Sequence, residues 1–98
     1  MAIIVSQKQS PLGLLLVIFD KDIQGLKVEE GKLQLNLTKN FYQGEEMGKE
    51  EVMQLFPQAR YIHLTGKEAV ALGVESGFVD TRKILYVKNI PHAEVVMA

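Results

Sequence analysis

The stretch Arg60 to Val87 most narrows the folds open to this chain, because it is punctuated as strand, turn, helix, stop and strand. Tyr61-Ile62-His63-Leu64 carries the β-branched and aromatic residues that suit a pleated sheet. Thr65-Gly66-Lys67-Glu68 has the pattern of a capping box, in which the Thr65 hydroxyl accepts from the Glu68 N–H and the Glu68 carboxylate reaches back to the Thr65 N–H. Helix is expected from Gly66 to about Ser76. Gly77 supplies a left-handed stop, with Phe78 folding back onto Val74 or Gly73. Ile84-Leu85-Tyr86-Val87 is the next strand. So short a helix between two strands implies parallel strands joined by a right-handed crossover.

The rest of the chain adds strands before this unit and one after it. Ile3-Ile4-Val5 is a first strand, and Gln9-Ser10-Pro11 carries turn residues. Leu14 to Phe19 is an unbroken apolar run of strand length, which suits a strand covered on both faces at the centre of a sheet. The two runs are expected to form a hairpin. Asp20 is expected to cap one helical turn that Gly25 ends. Asp20 and Asp22 also have the spacing that opens a calcium loop, but the other ligands and the closing glutamate are missing. Lys32 to Thr38 alternates, with Leu33, Leu35 and Leu37 facing the core. Phe41 to Glu45 is read as a loop. Lys49 to Phe56 is a short helix with Val52, Leu55 and Phe56 on one face, opened by Glu50 and Glu51 and ended by Pro57. Asn89-Ile90-Pro91-His92 is read as a turn, and Glu94 to Met97 as a last strand. The expected architecture is α+β: one domain over residues 1–98, a mixed sheet and two short helices.

Composition removes several function classes. The chain has 98 residues, enough for one domain with one core. It has no cysteine, which excludes disulfides, thiolate metal sites and thiol catalysis. A net charge of −1 argues against a dedicated nucleic-acid binder, and no DNA partner is expected. The apolar run Leu12 to Phe19 is far shorter than the roughly 20 residues that span a bilayer, so no membrane role is expected. The N-terminal residues lack the pattern of a signal peptide. Asn36-Leu37-Thr38 matches a glycosylation sequon and is read as a chance match.

Three features carry candidate chemistry. Thr65, Gly66 and Lys67 stand where a strand passes into a helix start, and the free N–H groups of such a start favour phosphate or carboxylate. Gly66 would let a ligand approach the backbone and Lys67 would add charge, although the run is not a P-loop. An ordinary capped helix is the plainer reading. The histidines His63 and His92, on different segments, would act as acid and base or bind a metal if the sheet brings them together. Otherwise they are a strand histidine and a turn histidine bonded to backbone. Phe41 and Tyr42 point opposite ways on an extended chain, which suggests Phe41 buried and Tyr42 at the surface, available to a base or a partner protein. No cofactor motif and no complete metal-ligand set is read.

Four segments in order resemble one family. Asn40-Phe41-Tyr42-Gln43-Gly44-Glu45, Leu64-Thr65-Gly66-Lys67-Glu68-Ala69-Val70, Gly77-Phe78-Val79-Asp80 and Ile90-Pro91-His92-Ala93-Glu94 are similar to motifs of the small archaeal family of unknown function numbered four hundred and twenty-four. The resemblance covers nearly the whole chain. The chain departs from the pattern at His63, where asparagine is expected, at Glu94, where glutamine is expected, and in Asp20 to Gly25, which lacks a Leu-Gly pair. The resemblance implies an archaeal cytoplasmic protein of no established activity, associated by gene neighbourhood with translation initiation. The resulting expectation is a non-enzymatic module docking on ribosomal RNA, the ribosome or a translation factor through Thr65, Gly66, Lys67 and Tyr42. The alternative is a small-molecule or phosphate site, with hydrolysis as its chemistry, built on His63 and His92. The sequence does not specify the oligomeric state.

Overall fold

The computed structural model describes residues 3–37 and 44–97. The run Leu14 to Phe19 forms most of β2 (Gly13–Asp20), and β2 lies inside a six-stranded sheet. Alternate residues of β2 enter two cores: Leu16 and Ile18 face one side, Val17 and Phe19 the other. Both faces are covered, so the apolar run has no polar alternation. β1 (Ile3–Ser10) pairs with it antiparallel as the expected hairpin. β1 runs further than the three apolar residues suggest, and the turn is Pro11-Leu12.

The strand order is β5-β1-β2-β6-β8-β7, where β5 is Glu45–Met47, β6 is Ala59–Thr65, β7 is Leu85–Val87 and β8 is Ile90–Val96. β2 and β6 are the hydrogen-bonded parallel pair. β6 and β7 each pair antiparallel with β8, so they run in the same direction with β8 between them. The expected strand–helix–strand unit is therefore present, with its two parallel strands separated by one strand. α1 (Lys49–Leu55) and α2 (Lys67–Glu75) are the two α-helices among the described residues. Val52, Phe56, Ala69 and Leu72 pack with Ile3, Val5, Leu16, Ile18, Ile62 and Leu64 on one face of the sheet. On the other face, a separate two-stranded hairpin of β3 (Lys27–Glu30) and β4 (Leu33–Asn36) places Val28, Leu35 and Leu37 against Ile4, Val17, Phe19 and Val87.

The stop after α2 forms as expected. Gly77 has φ +81°, the Phe78 N–H donates to the Gly73 carbonyl at 3.0 Å, and the Gly77 N–H donates to the Val74 carbonyl at 3.0 Å. This is a Schellman motif. The Phe78 ring meets Phe56 edge-on at 5.5 Å.

Several expectations are corrected. Leu33 is exposed, because β4 belongs to the small hairpin and only Leu35 and, just past the strand, Leu37 lie over the core. β3 and β5 were not expected: Lys27-Val28-Glu29-Glu30 has a single apolar residue, and Glu45-Glu46-Met47 is acidic. The chain turns at Lys88-Asn89, not at Asn89 to His92. Both turn residues have positive φ, as a two-residue hairpin turn of type I′ requires. His92 is consequently a strand residue. Phe41 and Tyr42 lie outside the described residues.

Candidate functional site

The start of α2 is closed by a residue from another strand. Asp20, at the end of β2, accepts from the Glu68 N–H at 3.0 Å and from the Ala69 N–H at 2.8 Å. A carboxylate on the first-turn amides is what the helix dipole favours. The expected Thr65–Glu68 capping box is not formed, and Asp20 does not cap the single 3-10 turn at Lys21–Ile23 with its side chain. Gly66 is the cap residue rather than a first-turn residue, with φ +109° and its N–H bonded to the Pro91 carbonyl at 2.9 Å. A Cβ on Gly66 would stand 2.4 Å from the Asp20 Cγ. Gly66 thus brings the backbone close to the chain's own carboxylate. An incoming phosphate would find the Glu68 and Ala69 donors already engaged. Lys67 is exposed beside this turn.

The released Thr65 hydroxyl belongs to a different group of side chains. Tyr61, His63 and Thr65 alternate along β6 and so share one face. The register sets Thr65 opposite His92 and His63 opposite Glu94 on β8. This is the face that carries the small hairpin, opposite the helices. The Thr65 hydroxyl lies 2.7 Å from His92 Nδ1, and His92 Nε2 lies 3.4 Å from Glu94 Oε1. His63 Nδ1 lies 3.5 Å from the same Glu94 oxygen. The other oxygen, Oε2, accepts from the Tyr61 hydroxyl at 3.1 Å. The two imidazole rings are 5.8 Å apart, and Tyr61 lies 4.7 Å from His63.

Burial falls steadily across this network. Thr65 is fully buried, the side chains of His92 and His63 are 12% and 19% exposed, and that of Glu94 is 50% exposed. The group is anchored at one end and open to solvent at the other. Burial also sets its charges. It holds His63 below the ordinary imidazole value, against the pull of the Glu94 charge, with His92 adding to the depression. Burial works to raise Glu94, but hydrogen bonds from Tyr61 and His92 and the charges of both imidazoles outweigh it, leaving the carboxyl below its usual value. Burial and the Glu94 contact push Tyr61 up. At neutral pH Glu94 is an anion and His63 is neutral, so their contact is not an ion pair.

A groove of about 450 Å³ lies beside Tyr61 and His63. Leu12, Leu15 and Val96 give it apolar walls, Tyr61 and His63 line it, and Arg60 adds a cation. Its size falls within the usual range of small-molecule sites, about 300–1,000 Å³.

The structure thus brings His63 and His92 together and sets Thr65 behind His92. Gly66 and Lys67 belong to the neighbouring helix start, and Tyr42 is outside the described residues. Sequence reasoning missed Tyr61 and Glu94. The available signal was the period-two spacing of Tyr61-x-His63-x-Thr65 and His92-x-Glu94, which places each set on one face of its strand.

No curated protein matches the chain. Among solved structures, it is similar to an uncharacterized conserved protein from Methanopyrus kandleri, with a TM-score of 0.81 and 16% identity, over 100% of this chain and 95% of that one. At this identity the likeness shows a shared fold. The family model described as "Protein of unknown function (DUF424)" matches residues 8–97, and the chain belongs to that family.

Proposed function

We propose that the protein binds a small molecule in the groove beside Tyr61 and His63, using the His63–Glu94–His92 network as its polar end. The observation that carries this reading is the convergence of two histidines from different strands on one oxygen of Glu94, with one of them, His63, in the wall of a groove. Perturbed titratable groups beside an apolar cleft are the usual marks of a ligand site. The groove favours a ligand with an apolar body and a carboxylate or phosphate that Arg60 can pair. Neutral His63 is in the protonation state of a general base, so hydrolysis of a bound ester or phosphate is the reaction this site would serve.

Docking on the ribosome, on RNA or on an initiation factor is the other proposal, and it draws on the resemblance alone. Its expected phosphate donors on α2 are bonded to Asp20, which leaves Lys67 and Tyr42 as its remaining elements. A setting in the archaeal cytoplasm also draws on the resemblance. Among the described residues no helix is long and apolar enough to cross a membrane.

The test is a screen of small carboxylates and phosphates read by NMR at the two imidazoles, with ribosome co-sedimentation at low salt in parallel. The reading expects saturable shifts at His63 that Arg60→Ala weakens. Ribosome binding with unmoved imidazoles across the library would overturn it.

A further inference from the structure

We infer that His63 Nδ1, His92 Nε2 and one oxygen of Glu94 form a binding site for a divalent transition-metal ion of the zinc type. The three ligand atoms all lie within 4.8 Å of one another. Two of the three separations are 3.4 and 3.5 Å. A tetrahedral ion with bonds of about 2.0–2.2 Å holds its ligand atoms about 3.3–3.6 Å apart. The right angles of an octahedral ion with bonds of about 2.0–2.1 Å, such as Mg²⁺, would close them to about 2.9 Å. Charge-assisted hydrogen bonds would also be shorter, about 2.7–2.9 Å. The two separations from Glu94 Oε1 therefore match ligands of one tetrahedral ion and are long for charge-assisted hydrogen bonds.

The surrounding contacts fit the same role. A metal-binding histidine needs its other ring nitrogen held by a partner that fixes the tautomer. Thr65 stands in that place on His92: in the metal-free network Nε2–H faces Glu94 and Nδ1 accepts from the hydroxyl. On metal binding the proton moves to Nδ1, which then donates to the hydroxyl and leaves Nε2 a lone pair for the ion. Tyr61 holds Glu94 Oε2, which leaves Oε1 directed at both imidazoles. Two imidazoles and one carboxylate suit zinc and its first-row neighbours rather than calcium or magnesium. Three protein ligands leave a fourth position for water or a bound group, and Glu94 opens that side to solvent.

The inference rests on the proposed ligand site for its location, it makes His63 a ligand rather than a general base while the ion is bound, and its test needs no groove ligand. Co²⁺ and Zn²⁺ alone are titrated into tag-free, chelator-stripped full-length protein. The assay is clean because the chain has two histidines, both in this cluster, and no cysteine. The expected result is one ion per chain, with the visible bands of four-coordinate Co²⁺, displaced by Zn²⁺ and not by excess Mg²⁺. His63→Asn and Glu94→Gln should abolish the bands. Thr65→Val should weaken affinity about 10–100-fold as the loss of a positioning residue. Circular dichroism verifies the fold of each variant. For any variant that does not fold, the parent's imidazole NMR signals decide: both histidines must respond to Zn²⁺ together. Absence of saturable binding, binding retained in folded His63→Asn and Glu94→Gln, or a Zn²⁺ response confined to one histidine would overturn the inference. A groove that takes no ligand would leave a positive metal result standing. A site without metal would leave the ligand screen standing.

Discussion

Asp20→Ala tests the way this fold joins its sheet to α2. The substitution removes the acceptor of two first-turn amides, Glu68 N–H at 3.0 Å and Ala69 N–H at 2.8 Å. Ala69 is fully buried, so its amide would lose its partner away from water. A helix cap is worth about 0.5–2 kcal/mol, and a hydrogen bond to a charged group about 1.5–3 kcal/mol. The two bonds share one carboxylate, so the expected cost is about 2–4 kcal/mol rather than their sum. For a domain of this size that lowers the thermal midpoint by about 10–20 °C. Burial holds the Asp20 carboxyl above its ordinary value despite the two amides, so charge is not the whole of its role. Asp20→Asn, which keeps one acceptor, should therefore cost less than Asp20→Ala. Glu68→Ala is the control and should change stability by less than about 0.5 kcal/mol, because no capping box depends on it. Urea and thermal melts of the three variants give the answer. An Asp20→Ala midpoint equal to the parent's, or a larger loss from Glu68→Ala, would refute the long-range cap.

Three further outcomes are expected. Gly66→Ala should cost at least about 2 kcal/mol in a urea melt, because φ +109° is strained for alanine and its Cβ would meet the Asp20 carboxylate; a neutral result would mean that the turn is not built this way. Gly77→Val should cost about 1–2 kcal/mol through backbone strain alone, since open space surrounds that Cβ, and Gly77→Asn should cost less; equal melting points for parent and Gly77→Val would place the Schellman stop elsewhere. The third concerns pH. His63 has a lowered pKa in the fold, so the unfolded chain binds its proton more readily. Its contribution to stability is full above the ordinary value of about 6.5 and is lost as pH falls through the lower folded value. His63→Gln should flatten stability against pH across that window, while an unchanged slope would show that His63 does not titrate as described.

The legible parts of the fold were those with a local cause. The apolar run of β2 reads as doubly covered because both of its faces are covered. Gly77 reads as a stop because a left-handed residue can be identified from its own neighbours. α1 was legible from Val52 and Phe56, which are both fully buried. What failed depended on distant partners. Thr65 and Glu68 form a valid local capping pattern, yet a carboxylate 48 residues away from Glu68 holds that amide. With Asp20 in place, the Thr65 hydroxyl turns to His92. The local motif was outcompeted by sheet topology, which sets the end of β2 beside the end of β6. The same limit applied to the site. His63 and His92 could be named, but their meeting depends on the β6–β8 register, and Glu94 gains its role from that register. His92 was misplaced by Pro91, which reads as a turn residue. In the structure Pro91 is a buried strand residue whose carbonyl accepts from Gly66.

The central claim is that Glu94 joins the two histidines. It is tested most directly by NMR titration of the His63 imidazole, in metal-free parent and in Glu94→Gln. Burial depresses His63 while the Glu94 charge works against that depression. The account expects His63 to titrate below the ordinary histidine value in the parent and lower still in Glu94→Gln. The Thr65-bonded His92 ring should report the loss of its carboxylate partner through a changed nitrogen shift. A His63 that titrates at the ordinary value in both proteins, with His92 unmoved, would contradict the account.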